Sequence, residues 1–504
     1  MVDADEIELK FELTEPALAA LAGHDAFAAP ARTQVLTSTY FDTPDFALRR
    51  AGLSLRVRRT AQGWAQTLKA QGLGDVMTRR EWTQDLPCQT PDRMALVDTP
   101  AAKSLSGHKL VPLFVTEVTR EIRRWTQGDA CIEVCVDRGR LVRNGRCAPI
   151  FELELELVAG DPRSLFDLAQ DLAARGRLPP LYLSKAERGY ALAGADARAR
   201  TGGIAGRDPT PELEARRAFQ AMGREALAHA ARHAARLRRR PHRESVHQIR
   251  VGLRRFGAAL SVFRDMAQDA TLPRVKAEMR WLAGELDAAR DLDVFLKESF
   301  APFSPRTPDR AAFAQLGAGL LRARRQAYAR AQAAVSSDRC HDFFLSALRW
   351  LEVGAWTRDA ALTRRTARST ALKAFAPAQL ARMSRKVRAR GRRLAEMDAE
   401  ALHRLRIRIK KLRYAVAFLQ PSLTDRDDAA AGLEALVTLQ HSLGELNDVA
   451  CAPKLLRRVC EHPAGPERYA AGLIVAAQRA RAQNAERTAF KAFTAFDALG
   501  AFPV

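Results

Sequence analysis

Cysteine is scarce in this chain of 504 residues: there are seven, an odd number with no CxxC pair among them. A disulfide framework needs paired cysteines and a structural zinc site needs clustered ones, so neither organises the fold. Cys131 and Cys135, expected on one face of one strand, are accounted for by core packing. Long apolar runs are also missing. No stretch reaches the roughly 20 apolar residues of a membrane span. The opening MVDADEIELK is acidic where a secretory signal has an apolar core. A cytoplasmic protein without a membrane partner is expected. Aromatic residues make up only 7%, which disfavours single-stranded nucleic acid held by base stacking. The chain exceeds one ordinary core, so two or three domains are expected.

Charge is abundant and unevenly placed. The net charge is +23, yet residues 1–200 hold 27 basic and 27 acidic residues, so the remaining 54 basic and 31 acidic residues carry the whole excess. An imbalance of that size predicts a polyanionic partner for the second part. The balanced first part is patterned instead. In Glu6-Ile7-Glu8-Leu9-Lys10-Phe11, the charged residues fall on one face of a strand and the apolar ones on the other. The same alternation recurs at Arg56 and Arg58, at Thr67 and Lys69, and at Glu152, Glu154 and Glu156. Eight or so strands in hairpin order, punctuated by glycines, predict an antiparallel barrel or closed sheet over 1–195. Asp161, Pro162 and Gly176 mark out a helix between them.

Charges of both signs at period two over many strands predict a charged lumen; the alternative is a set of solvated faces with cross-strand ion pairs. Arg56, Arg58, Lys69, Arg80, Arg120 and Arg123 are donors suited to phosphate oxygens. Glu6, Glu8, Asp137, Glu152, Glu154 and Glu156 would repel a bare phosphate. They make sense if a divalent cation, Mg²⁺ or Mn²⁺, lies between them and the ligand. Carboxylates, metal and a basic clamp together equip a site for phosphoryl transfer to water.

Residues 1–195 resemble the CYTH domains, the triphosphate tunnel metalloenzymes. The likeness rests on EIELK at Glu6–Lys10, YFDT at Tyr40–Thr43, LSLRVR at Leu53–Arg58, TLK at Thr67–Lys69, RREW at Arg79–Trp82, IEVCVDRGRL at Ile132–Leu141, FELELEL at Phe151–Leu157 and LSKAERGY at Leu183–Tyr190. The resemblance implies an eight-stranded antiparallel tunnel that binds triphosphates with divalent metal. It implies Glu6 and Glu8 as metal ligands, joined by carboxylates of the FELELEL strand, with the choice among Glu152, Glu154 and Glu156 left open. Lys10, Arg56, Arg58, Lys69, Arg80 and Arg120 would hold the phosphates, Asp137 would assist the metal or the attacking water, and Lys185 and Arg188 would close on the phosphate chain. Relatives of this kind cleave inorganic triphosphate, thiamine triphosphate or RNA 5′ ends, and some cyclise ATP.

A small, Gly-rich stretch over 196–211 reads as a linker. Beyond it, over 212–495, helical periodicity in Ala, Leu and Arg predicts an all-α domain, with breaks near Pro241, Pro273, residues 300–310, Pro377, Pro421 and Pro453. An internal repeat joins HQIRVGLRRF at His247 to HRLRIRIKKLRY at His403, and each copy is followed by a related segment, LDAARDLDV (286–294) or LGELNDVA (443–450). His, Arg and Arg/Lys at i, i+3 and i+7 share a helix face, so two such faces could oppose one another across a pseudo-two-fold axis. His229 and His233, at i and i+4, could chelate a metal, although a plain helix surface is the simpler reading.

This half resembles the CHAD domain, a helical module with conserved histidines. The resemblance implies inorganic polyphosphate binding through His247, Arg250, Arg254, Arg255, His403, Arg406, Lys410, Lys411, Arg413 and Tyr414. The expected whole is therefore a multidomain α+β protein, a β tunnel followed by a helical bundle. It would hydrolyse inorganic triphosphate in the tunnel and hold polyphosphate on the bundle, in the cytoplasm or at polyphosphate granules. A non-catalytic polyphosphate-binding protein and an adenylate cyclase or thiamine triphosphatase of the same fold are the alternatives.

Overall fold

The computed structural model describes residues 2–60, 63–70, 78–194, 210–303, 310–423, 426–460 and 465–500; the side chains of 2–6, 78–80 and 426–429 lie outside the description. Most of the expected linker, residues 196–209, falls outside it too. The chain divides into two compact units, Met1–Asp208 with His341–Gly354, and Pro209–Cys340 with Ala355–Val504.

The first unit is built on eight strands: β1 (Val2–Glu12), β2 (Arg32–Asp42), β3 (Leu53–Thr60), β4 (Gly63–Ala70), β5 (Thr78–Leu86), β6 (Val111–Gln127), β7 (Ala130–Arg143) and β8 (Arg146–Ala159). They close into a barrel in the order β1-β5-β4-β3-β2-β6-β7-β8, and every pairing is antiparallel. Alternation then decides which side chains face inward. On β1, Leu9 and Phe11 point out and are buried beside Pro180, Tyr182, Leu345 and Leu348, while Glu8 and Lys10 line the interior. The Pro162–Arg175 helix begins as its sequence predicts, with Asp161 accepting from the Arg163 N–H at 2.9 Å.

The assignment of His341–Gly354 to this unit has no counterpart in the sequence pattern. These residues form most of the Asp338–Val353 helix. Leu345 and Leu348 pack beside Leu9, Phe11, Pro180 and Tyr182, and the Phe344 ring meets Tyr182 edge-on at 6.3 Å. Arg349 pairs with Asp167 and with Gln170. A segment far along the chain therefore buttresses the strand that carries Glu8 and Lys10. Leu345→Asp, which would bury a charge there, is expected to destabilise the first unit by about 3 kcal/mol or more. Differential scanning calorimetry of the full chain would show this as an earlier first transition.

Every named element among the described residues of the second unit is a helix, with one isolated bridge between Glu214 and Ala371. Two of the breaks expected at proline do not occur: Pro377 lies inside the Leu372–Gly391 helix and Pro453 inside the Arg426–Val459 helix. An interior proline costs a helix about 3 kcal/mol. At Pro377 the burial of Leu372, Phe375, Ala376 and Leu380 around it offsets that cost. No helix among the described residues is long and apolar enough to cross a membrane.

Candidate active site and anion-binding surface

The barrel encloses a cavity of about 260 Å³. Its lining brings together Glu8 and Lys10 from β1, Arg56 and Arg58 from β3, Lys69 from β4, Glu81 from β5, Arg120 from β6, Asp137 from β7 and Glu154 and Glu156 from β8. Register explains the grouping of acids. Glu8 sits opposite Glu156 and Lys10 opposite Glu154 across the β1–β8 pair, and Asp137 sits opposite Glu152 across β7–β8. Glu6 lies opposite Arg79, and Arg80 opposite Asp5 and Ala70, but the side chains of Glu6 and Arg80 are outside the described residues. Arg123 does not join the lumen. Three residues from Arg120, it falls on the opposite face of β6, where it donates to the Ala29 carbonyl at 3.2 Å and lies over the Phe27 ring.

At the acidic end, Asp137 and Glu152 are 0% exposed and Glu154 is 5% exposed. Their oxygens include three, one from each residue, that lie within 4.8 Å of one another. Three hard carboxylate donors converging in this way suit a divalent ion such as Mg²⁺ or Mn²⁺. Cations surround them. Arg120 grips Asp137 with two bonds of 2.7 Å and also donates to Glu154. Lys10 lies 2.6 Å from Glu154 and 2.9 Å from Glu8. Lys185 and Arg188, expected on a phosphate chain, are paired here with carboxylates: Lys185 with Asp137 at 2.6 Å, Glu154 at 2.8 Å and Glu152, and Arg188 with Glu152.

For Glu154, Asp137 and Lys185, burial works against the charge and the neighbours overcome it. Glu154 is held well below the usual carboxylate range, because Lys10, Lys185 and Arg120 outweigh its burial. Asp137 is lowered too, by Lys185 and Arg120 against the same penalty. Despite burial, Glu152, Glu154 and Asp137 raise Lys185 above its ordinary range. Elsewhere in the lining the balance differs. Arg58 is pushed down to about 9, chiefly by burial and then by Arg56 beside it, while Lys69 is paired with Glu81. The Arg58 Nε donates to Ser38 Oγ at 3.0 Å.

Lys185 opens a short helix, Lys185–Leu192, that closes over the tunnel. Ser184 and Glu187 form a reciprocal capping box at its start. Gly189 permits its close approach: a Cβ there would sit 2.0 Å from the Phe114 ring. Tyr190 donates to the buried Asp42 at 3.0 Å. Asp42 also accepts from the Leu48 and Arg49 N–H groups, at 2.8 and 3.0 Å, and so holds the Ala47–Arg50 turn of helix at the tunnel mouth. Arg49 and Arg50 thereby line the cavity, a placement that sequence reasoning missed. Their signal is non-periodic: a carboxylate that caps amides six and seven residues downstream.

In the second unit the two repeat copies lie on the Arg243–Val262 and Ala399–Leu419 helices, and their cations converge. Lys410 is pushed down to about 7 by burial and then by Arg406, Arg254 and Arg250. Arg250 is pushed down to about 10 by burial, Arg254 and others. Arg406 is lowered chiefly by burial. The companion segments contribute Asp291 and Asp448, both raised by burial. Arg250 pairs with Asp287 and donates to the Ala283 carbonyl at 3.1 Å. His403 shares a 2.7 Å hydrogen bond with Asn447, while burial and Arg290 push His247 down to about 4. Arg413 lies over the Tyr414 ring and donates to Gln440 at 2.9 Å. Lys411 is lowered by burial, Arg408 and Lys276, so its surroundings differ from those of Lys410. Arg255 acts on His229 and Tyr414. Each stands one residue past the i+7 position, and Arg255 shares Tyr414 with Arg254. His229 bonds Gln248 at 2.8 Å, and burial pushes its neighbour His233 down to about 3.

Comparison with known proteins follows this division. Residues 4–190 match the CYTH domain and residues 221–457 the CHAD domain. The inorganic triphosphatase of Haemophilus influenzae is 31% identical over 160 residues, which make up 31% of this chain. The match spans 46% of that relative, so about half of its length has no counterpart in the alignment. The crystal structure of the CHAD domain from the plant Ricinus communis covers 58% of this chain and 96% of its own, at 27% identity and a TM-score of 0.49. HpAC1 from Hippeastrum, whose structure is described as revealing a dominant triphosphatase activity, covers 38% of this chain and 96% of its own, at 19% identity and a TM-score of 0.30.

Proposed function

We propose that this chain, which belongs to the proteins that carry a CYTH domain followed by a CHAD domain, is a divalent-metal-dependent inorganic triphosphatase whose helical unit holds inorganic polyphosphate. The observation that carries the reading is the lumen. Asp137, Glu152 and Glu154 gather at one side, and Arg56, Arg58 and Lys69 stand elsewhere on the wall of the same barrel. Asp137, Glu152 and Glu154 would hold the ion, with Glu8 and Glu156 facing the same cavity. A bound Mg²⁺ or Mn²⁺ would neutralise phosphate oxygens and make the phosphorus more electrophilic.

The protein's own groups supply the rest. Water adds to the terminal phosphorus, the bridging P–O bond breaks, and pyrophosphate leaves; one proton of the water stays on the orthophosphate and the other passes to the pyrophosphate or to solvent. The leaving pyrophosphate departs as an anion, and Lys10, Arg56, Arg58, Lys69 and Arg120 offset its charge. Among the described residues the lining favours an inorganic substrate. Of its aromatic rings, Tyr40 is stacked on Phe114 at 4.6 Å, and Tyr190 is bonded to Asp42 with Arg49 above it. Neither ring is offered to a base or a thiazole.

A panel of inorganic triphosphate, ATP, thiamine triphosphate and 5′-triphosphate RNA, each with Mg²⁺ and Mn²⁺, tests this. The expected result is orthophosphate release with the highest kcat/KM on inorganic triphosphate. A tenfold preference for any organic triphosphate, or no release at all, would overturn it. For the second unit, converging cations outnumber nearby acids, and the +23 excess of the sequence lies entirely beyond residue 200. A flexible polyanion without bases answers that charge.

A further inference from the structure

We infer that the Lys185 ammonium is a built-in occupant of the divalent-cation site, one that holds the three carboxylates until a phosphate chain draws it away. Metal and phosphate would then enter together, and metal alone would bind weakly. The inference rests on the tunnel being a metal-dependent phosphohydrolase and specifies how its ligands assemble.

The geometry is that of a competitor. Lys185 Nζ lies 2.6 Å from Asp137 and 2.8 Å from Glu154 and is also paired with Glu152. Those are the three residues whose oxygens converge for an ion. An ammonium and a hard cation there would claim the same lone pairs, and their like charges would repel at short range. Both cannot stay.

Among the surrounding cations of the described residues, Lys185 is the one paired with all three carboxylates, and it has the freedom to leave. Arg120 is anchored on β6 and grips Asp137 through two bonds, a planar fork that does not slide. Lys185 is a compact charge on a flexible four-carbon stem. Its backbone is fixed by the Ser184–Glu187 capping box and by Tyr190 on Asp42, so the amine can swing while the helix stays closed. It also lines the cavity where phosphate oxygens would lie. A triphosphate would give the ammonium a new anion at the moment that a metal takes its old ones. Metal alone offers no such exchange, and the amine must then be expelled without a partner.

The test is calorimetric titration of Mn²⁺, without phosphate, into the full chain and into Lys185→Met. The variant is expected to bind Mn²⁺ at least tenfold more tightly. A non-hydrolysable triphosphate analogue is expected to tighten Mn²⁺ binding tenfold or more in the wild-type chain and much less in the variant. Equal or weaker Mn²⁺ binding by Lys185→Met overturns the inference, and phosphate release by the wild-type chain would still uphold the enzymatic reading. Absence of Mn²⁺ binding and of phosphate release overturns both. A second measurement needs no variant. Lys185, with a side chain 12% exposed, should acylate slowly in the metal-free chain and several-fold faster under saturating Mn²⁺, as read by mass spectrometry. An unchanged rate overturns the inference even if Lys185→Met does not fold.

Discussion

Glu154→Gln is expected to leave a folded chain that releases phosphate from inorganic triphosphate about 10³-fold more slowly, with the loss mainly in kcat. Glu154 is the hub of the lumen: it takes Lys10 at 2.6 Å, Lys185 at 2.8 Å and Arg120. The amide keeps the shape and removes the charge that binds metal and orients three cations. A preorganised charge of this kind is worth about 10²–10³ in rate, and the coupled cations extend the effect. Removing one member of a buried ion cluster also costs roughly 3–5 kcal/mol of stability, so circular dichroism and thermal melts should accompany the kinetics. Glu117→Gln is the control. Its partner Arg140 is exposed, on the outer face of β6 and β7, and such surface pairs contribute little. Full activity in Glu154→Gln would remove the carboxylate cluster from the mechanism.

The second large effect belongs to the helical unit. Replacing Arg250, Arg254, Arg406 and Lys410 together by Gln is expected to weaken polyphosphate binding by about 10²–10³-fold. It should also flatten the slope of log K against log salt by roughly three, since each neutralised phosphate contributes about 0.7 on a single strand. Fluorescence anisotropy at several salt concentrations reads both. A pH dependence follows from Lys410, which burial, Arg406, Arg254 and Arg250 push down to about 7 and Asp448 partly restores. A polyanion prefers the protonated amine, so binding takes up a proton and affinity falls as pH rises from 6 to 8. Lys410→Arg keeps its charge throughout and should flatten that fall. An unaltered affinity in the quadruple variant would place the polyanion elsewhere, or nowhere.

How much of this could be read in advance depends on the distance over which each signal acts. The inward face of β1 was legible because alternation is a property of consecutive residues, and the same rule brings Arg56, Lys69, Arg120 and Glu154 into one lumen. It also rules Arg123 out, a parity that the sequence pattern contained and that a reading by charge alone passed over. The cap at Asp161 was similarly local. The repeat around His247 and His403 was visible as a spacing, and the convergence of its cations follows from two equivalent faces meeting.

Other features had no local signature. Arg49 and Arg50 owe their place to one carboxylate, Asp42, capping amides beyond the end of its own strand. Pro377 stays inside a helix because side chains packed around it outweigh a backbone preference. His341–Gly354 reads as one more helix of the second half, yet it is bound into the first unit through Tyr182, Asp167 and Gln170.

Chain order alone therefore settled which residues carry charge, how they alternate and where one domain type gives way to another, because these depend on near neighbours. Only the closed barrel decided which carboxylates share a point in space and which cation sits among them. Asp137, Glu152, Glu154 and Lys185 meet across strand register and a returning helix, and the energy of a buried charge depends on its distance from others in space.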